Sequence, residues 1–241
     1  MESPLQLSVC SLGWFFFLRR AMSDCGKFDK LEKKKRTETI NLAVSVFHSF
    51  FSGIGALIAI TRMPEILEDM VYAHSNLSAC VTSFTFGYFV YDFFDLLAAS
   101  RWSISKNNFD IILHHVLVIC CFGSCVVQQR YMGLSMLSIL MEVNSVFLHL
   151  RKISRNFDIR SGIVYHAIVA LNFLTLIAFR IAVSYKMIVW LSTVDRSGIP
   201  TVVFYLGVIA MPVIAAMNCT LFYRCLRVDI LRPLSRPIKK D

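Results

Sequence analysis

Residues 77–100 read LSACVTSFTFGYFVYDFFDLLAAS, a stretch in which only Asp92 and Asp95 carry a charge. A helix needs about 20 mostly apolar residues to cross a bilayer, and this stretch is long enough to do so. Because the apolar residues run continuously rather than alternating, they favour a helix over a strand of a membrane β-barrel. Comparable runs occupy about residues 40–60, 110–127, 131–150, 162–185 and 200–223. The sequence therefore predicts an all-α integral membrane protein with six transmembrane helices.

The composition excludes several other classes of protein. Of the 241 residues, 56% are apolar and 17% are charged, whereas a soluble domain has roughly 45–50% and about 25%. So few charges cannot cover a soluble surface, and so many apolar residues exclude disorder. The net charge of +9 does not indicate nucleic-acid binding, because the basic residues form short blocks between apolar runs. The short connections leave no room for a soluble domain, so we expect one bundle over residues 37–228.

The basic residues predict how this bundle is oriented. Lys and Arg collect in the short cytosolic segments of membrane proteins. Twenty of the 25 lie before the first predicted span, after the second and fourth spans, or in the tail, and four lie in the opposite loops. Residues 1–36 and 229–241 are therefore predicted to be basic cytosolic segments, with both termini in the cytosol. These segments could also attract anionic lipid headgroups.

The first 20 residues contain a shorter apolar run, Leu12–Leu18, followed by Arg19 and Arg20. The run is too short to cross a bilayer, and its charges follow it, whereas those of a signal peptide precede the apolar region. We expect a short partial or interfacial helix here, with a truncated first span or anchor as the alternative.

Ionisable residues inside the predicted spans are the candidates for a functional site, because burying them in a bilayer is costly. Asp92 and Asp95 are spaced to share one helix face. Adjacent histidines point about 100° apart, so we expect either His114 or His115 to face a cavity while the other bonds a neighbouring helix. At 1.5 Å per residue, polar groups from four spans fall in the cytosolic half of the bundle. These groups are Asp92, Asp95, Asp110, His114, His115, Glu142, Asn144 and His166.

Two interpretations of this cluster stay open. A histidine assisted by a carboxylate can perform general acid–base chemistry. Alternatively, the polar groups satisfy one another and fix the packing of the helices. A metal site is not expected, because the spacing of His and acidic residues lacks the HxxxH or ExxH pattern. Arg180 is expected near the outer surface, either extending to the headgroups or paired with an acid.

The motifs around these residues resemble those of the TLC-domain family, which includes the ceramide synthases. Asp110-Ile-Ile-Leu-His-His115 matches the acid and paired histidines of those synthases, whereas Met141–Ser145 keeps only part of their next motif. The chain is more similar to the small TLC domain-containing proteins 1 and 2. The matching elements are Gly87–Asp95, Glu142–Arg151 and Phe179-Arg180. The resemblance covers about residues 37–228 and implies a six-helix bundle that encloses a lipid-accessible cavity.

The resemblance also implies a function. It implies a regulator of phospholipid fatty-acyl composition and membrane fluidity that limits polyunsaturated chains, with membrane phospholipids and acyl chains as partners. The plasma membrane is the implied location, with the endoplasmic reticulum as the alternative. The alternative function is a ceramide-synthase-like lipid acyltransferase that takes acyl-CoA as co-substrate and needs no other cofactor. In that case His114 or His115 would be the base, Asp92 or Asp95 would orient it, and Glu142 would belong to the same cluster. A proton-coupled transporter is a third possibility.

Overall fold

The computed structural model describes residues 3–104 and 108–231, and within them every regular element is a helix, which confirms the all-α class. A 3-10 turn lies at Pro64–Leu67, and π-helical turns lie at Ile177–Ile181 and Arg227–Leu231. The α-helices are α1 (Pro4–Asp24), α2 (Lys33–Arg62), α3 (Asn76–Ala99), α4 (Phe109–Gln128), α5 (Met132–Asn156), α6 (Ile163–Leu176), α7 (Ala182–Thr193) and α8 (Thr201–Leu226).

Five of these helical segments are long and apolar enough to cross a membrane, which identifies the chain as an integral membrane protein. They are α2, α4, α5, the continuous helix Ile163–Thr193 and the segment Thr201–Leu231. The helix α3 covers the remaining predicted span, but its polar residues lower its apolar content. Thr82, Ser83 and Thr85 of α3 are fully buried against neighbouring helices rather than exposed to lipid. The count of six spans therefore stays a prediction.

The centre of the bundle is formed by α2 packed between α3 and α5. Small residues bring these helices together: an added side chain at Gly53 would meet Val143, and one at Gly55 would meet Val81. Near the start of α2, Asn156 Nδ2 at the end of α5 donates to Thr39 Oγ1 over 3.0 Å. Both α3 and α5 therefore run antiparallel to α2. The core between them contains Val44, Tyr91, Met136 and Ile139, all at most 1% exposed.

The first helix is longer than the sequence predicts. Helix α1 has 21 residues, which corresponds to about 31 Å. A capping box formed by Ser3 and Gln6 starts it, about two turns before the apolar run Leu12–Leu18. Its early part is held by packing on α3, where Ser11 Oγ donates to Phe84 O over 2.8 Å. The predicted helix is therefore too short, because apolar content alone does not report this helix–helix contact, whereas its interfacial position stays a prediction.

Helix α1 runs parallel to α3. Its contacts ascend together with those of α3, from Ser11 with Phe84, through Phe15 with Tyr88, to the ion pair of Arg19 with Asp95. Because α1 and α3 end together, α1 starts at the end of the bundle where α3 starts. We call the other end, where α2 begins and α1, α3 and α5 finish, the basic end. It carries Arg19, Lys33–Arg36, Arg101, Arg151 and Arg155.

The last described helix finishes at this basic end. Asp229 forms ion pairs with Arg151 and Arg155 of α5, over 2.6 Å and 3.5 Å. The described chain therefore begins at one end of the bundle and finishes at the other, because α1 adds one more pass along the bundle. The cytosolic location of both termini stays a prediction. Lys106 and residues 232–241 of the predicted tail lie outside the described residues.

Candidate functional site

A direct side-chain contact between two predicted site residues, His115 and Asp92, joins α4 to α3. His115 Nε2 lies 2.8 Å from Asp92 Oδ2, and His115 Nδ1 lies 2.8 Å from the carbonyl oxygen of Ile111. The carbonyl can only accept, so Nδ1 carries a proton. The Nε2 contact then needs a second proton, held either by the imidazole or by the carboxyl group. His115 and Asp92 are thus a proton-sharing pair buried near the basic end.

Asn41 and Arg19 extend this pair into a network. Asn41 Nδ2 donates to Asp92 Oδ1 over 2.8 Å and to Asp95 Oδ2 over 2.9 Å. Arg19 forms an ion pair with the other oxygen of Asp95. The structure therefore confirms that Asp92 and Asp95 share a helix face. The resulting network, which we call the four-helix cluster, contains Arg19, Asn41, Asp92, Asp95 and His115 from α1 to α4.

Sequence reasoning missed two members of this cluster. Arg19 was counted only as a topology signal, and Asn41 was not recognised in the first predicted span. The usable signal for Asn41 is a strong hydrogen-bonding group at the start of the apolar part of α2, where it needs a partner from another helix. For Arg19 no local signal existed, because its partner depends on how α1 packs.

A separate cavity lies between α3, α4, α5, α7 and α8. It has a volume of about 1110 Å³ measured to its mouth and is partly open, so an enclosed cavity is not confirmed. Its walls are mostly apolar side chains, which is typical of ligand pockets in proteins. One histidine and two charged side chains also line it: His114, Glu142 and Arg180. Representative apolar wall residues are Phe89, Phe122, Met141, Met187, Leu206 and Met211.

The two adjacent histidines have different surroundings, as helix geometry predicts. His114 lines the cavity, whereas His115 bonds Asp92 and is not part of the cavity wall. The five predicted site residues therefore divide between two groups, and their catalytic role stays a prediction. Asp92, Asp95 and His115 belong to the four-helix cluster, and His114 and Glu142 belong to the cavity.

Glu142 connects the cavity to the core of α2. Its Oε2 atom accepts a hydrogen bond from Ser49 Oγ over 2.5 Å and lies 3.8 Å from His48 Nδ1. The His48 ring stacks on Tyr88 at 3.7 Å between ring centroids. In residues 3–104 and 108–231, neither ring nitrogen of His48 has a hydrogen-bond partner. His48 therefore acts mainly as a packed ring beside the Glu142 carboxylate.

Arg180 points into the bundle and not toward the membrane surface. Its Nε donates to Asn144 Oδ1 over 2.7 Å, Nη1 to Asn218 Oδ1 over 3.0 Å and Nη2 to Ser145 Oγ over 2.7 Å. It forms no ion pair with any acid in the described part of the chain. Both expectations for Arg180 are therefore wrong, because the neutral groups of α5 and α8 bind its guanidinium in the interior.

Two other predicted members of the polar layer lie at the surface. Asp110 is exposed and lies 3.4 Å from Arg224 in an ion pair. His166 is exposed and bonds the carbonyl oxygen of Gly162 one turn earlier. Neither lines the cavity or joins the four-helix cluster.

Comparisons with known proteins agree with this architecture. Residues 38–227 match the family model of the TLC domain. The chain is 33% identical to TLC domain-containing protein 2 of Danio rerio over 234 residues, which cover 96% of this chain and 92% of that protein. It is 31% identical to TLC domain-containing protein 2 of Homo sapiens, over 85% of this chain and 75% of the relative. It is 30% identical to TLC domain-containing protein 1 of Gallus gallus, over 59% and 55%.

The family match covers most of the chain, and the two nearly full-length alignments agree with the membrane-spanning, all-helical structure. The chain therefore belongs to the TLC-domain family of membrane proteins.

Proposed function

We propose that this protein regulates the fatty-acyl composition of membrane phospholipids, and thereby membrane fluidity, by limiting polyunsaturated chains. The observation that carries the proposal is the cavity of about 1110 Å³ inside the TLC domain. Its apolar walls suit a hydrocarbon chain, and a mostly apolar lining with a few polar groups is typical of ligand sites in proteins. The proposed partners are membrane phospholipids and their acyl chains, in the plasma membrane or, as the alternative, the endoplasmic reticulum.

The distribution of polar groups in the cavity supports a lipid with one polar end. His114, Glu142 and Arg180 provide hydrogen-bonding groups in a mostly apolar wall, and His114 and Glu142 both lie within electrostatic range of Arg180. An acyl chain can contact the apolar residues while its carbonyl or carboxyl group contacts this region. Selection against polyunsaturated chains would then depend on the shape of the apolar walls, because double bonds fix bends in the chain.

A second candidate function is transfer of an acyl group from acyl-CoA, and His114 is the observation that favours it. His114 lines the cavity and makes no hydrogen bond to another described residue, so its imidazole is free to accept a proton. In this reaction His114 takes the proton of an acceptor hydroxyl or amine, the acceptor attacks the thioester carbonyl, and the CoA thiolate leaves. Asp92 is paired with His115 and does not line the cavity. The carboxylate that could assist His114 there is that of Glu142, which lines the same cavity.

Filling the cavity tests the proposed function. Gly207 lines the cavity, and a Cβ added there would have only ordinary contacts, with Leu191 at 3.7 Å and Met211 at 3.9 Å. Gly207→Phe should fill space needed by the acyl chain. Cells that lack the protein would be complemented with this variant or with the wild type, and their phospholipid acyl chains measured by mass spectrometry. We expect Gly207→Phe to leave polyunsaturated phospholipids as high as in cells without the protein.

Gly13→Phe is the matched control, because it makes the same substitution in a helix whose Gly13 has no neighbour within 4 Å. It should restore the wild-type lipid composition. The proposal fails if Gly207→Phe, present at wild-type abundance, restores the composition as fully as Gly13→Phe does. Release of CoA from acyl-CoA by the purified protein, lost in His114→Ala, would favour the acyltransferase.

A further inference from the structure

The guanidinium of Arg180 is only partly satisfied by its protein partners. An arginine side chain has five N–H donors. Three of them bond Asn144, Asn218 and Ser145. These acceptors are amide and hydroxyl oxygens, which hold the group in place without neutralising its charge. The two remaining N–H groups belong to a side chain that lines the cavity.

Two of the three acceptors, Asn144 and Asn218, are themselves held by hydrogen bonds. Asn144 Nδ2 donates to the carbonyl oxygen of Asn172 over 2.9 Å and to Thr175 Oγ1 over 3.0 Å. Asn218 Nδ2 donates to Ser184 Oγ over 3.0 Å. Each amide therefore has its oxygen directed at Arg180 because its nitrogen is engaged elsewhere. The position of the guanidinium is fixed before any ligand enters the cavity.

The charge of Arg180 has no direct counter-ion in the described structure. Glu142 lines the same cavity, but its carboxylate bonds Ser49 and forms no ion pair with Arg180. An unneutralised cation among apolar side chains is costly, and a bound anion would offset this cost. The site thus combines a fixed cation, two available donors and an adjoining apolar wall.

We propose that Arg180 binds the carboxylate of a fatty acid whose hydrocarbon chain lies along the apolar wall of the cavity. This inference rests on the proposed function and names the chemical class of its ligand. A carboxylate matches the planar donor pair of a guanidinium. Arg180 lies about 25 Å along the 31-residue helix Ile163–Thr193, close to its middle. At this depth a compact monoanion loses less hydration than a doubly charged phosphate, which is why the carboxylate is the better ligand.

Binding of lipids that differ only in their polar end tests the assignment. The full-length purified protein in detergent would be loaded with radiolabelled oleate, and oleyl alcohol or oleoyl lysophosphatidic acid would be added as competitor. We expect unlabelled oleate to compete about ten- to hundred-fold better than oleyl alcohol, as expected for one charged hydrogen-bonded contact. We expect oleate also to compete better than the lysophosphatidic acid.

Two variants connect this preference to Arg180. Arg180→Gln removes the charge and should abolish the preference for oleate over oleyl alcohol, measured with a labelled alcohol probe. Lys186→Gln removes an equal charge from an exposed position on the same helix and should leave the preference unchanged. Arg180→Lys keeps the cation and should keep a weaker preference.

The outcomes separate this inference from the proposed function. If the wild type binds oleate and oleyl alcohol equally, or lysophosphatidic acid more tightly than oleate, the carboxylate assignment is wrong while the cavity remains an acyl-chain site. If none of the three lipids binds, the proposed lipid-binding function fails with it. The wild-type comparison needs no variant, so a failure of Arg180→Gln to fold leaves the assignment testable.

Discussion

Asp92 and Asp95 lie one helical turn apart on α3 and take different partners, His115 and Arg19, while sharing Asn41. The common face of the two acids and the divergence of His114 from His115 could be predicted, because both follow from the 3.6-residue period of one helix. Their partners could not, because Arg19 and Asn41 reach them only through the packing of α1 and α2. For the same reason, the interior position of Arg180 depends on Asn144 and Asn218 from two other helices.

The two histidines provide a test at the scale of single residues. His115→Ala leaves the Asp92 carboxylate buried without its partner, and breaking a buried pair costs about 3–5 kcal/mol. His114→Ala removes no hydrogen bond and should cost at most about 1 kcal/mol. We expect His115→Ala to lower the thermal midpoint and the cellular abundance, and His114→Ala to keep both. Equal losses of stability in the two variants would contradict the separation of their roles.

At the scale of helices, the six predicted spans fall on α2 to α8, with α6 and α7 together forming one span, because each span is a long and mostly apolar run. The extent of α1, in contrast, depends on its packing against α3, which composition cannot report. That contact is closest at Gly87, where an added Cβ would lie 2.4 Å from the carbonyl oxygen of Ser8 and 2.7 Å from Ser11 Cβ. The backbone of α1 would have to move to accommodate any side chain there. Gly87 is therefore the position where α1 and α3 are most sensitive to substitution.

Gly87→Ala should consequently destabilise the bundle by about 1–3 kcal/mol through overpacking. Thermal unfolding of the purified protein would measure the loss. Gly207→Ala is the matched control, because its new Cβ has only ordinary contacts. The control should keep or slightly raise the midpoint, since alanine favours a helix more than glycine does. A Gly87→Ala protein as stable as the control would contradict the close packing of α1 on α3.

At the scale of the whole molecule, successive passes alternate in direction, with α6 and α7 forming one continuous pass, and the basic residues concentrate at one end. Charge patterning predicted which end is basic, because the bias of Lys and Arg is a property of the sequence. The cytosolic location that it predicts for the first residues stays a prediction, because that location depends on whether α1 crosses the membrane.

Epitope tags test this arrangement directly. With the basic end in the cytosol, a tag before α1 should be on the non-cytosolic side, and a tag at the C-terminus should be cytosolic. Antibody access before and after selective permeabilisation of the plasma membrane, combined with protease protection of isolated vesicles, would locate both. Detection of both tags on the cytosolic side would show that α1 does not cross the membrane in the proposed direction.

The four-helix cluster also has a consequence for biosynthesis. A chain is synthesised from its N-terminus, so Arg19 and Asn41 enter the membrane before Asp92 and Asp95 exist, and His115 follows last. Helix α3 on its own presents two carboxylates to lipid, a costly state that ends only when the earlier helices are beside it. The cluster therefore couples the order of translation to the order of assembly. The two carboxylates of α3 are stabilised in the membrane only if α1 and α2 are still close by when α3 is inserted. Once residues 1–100 have left the ribosome, the chain contains every residue of the Arg19, Asn41 and Asp95 contacts, and only His115, the proton partner of Asp92, is still missing.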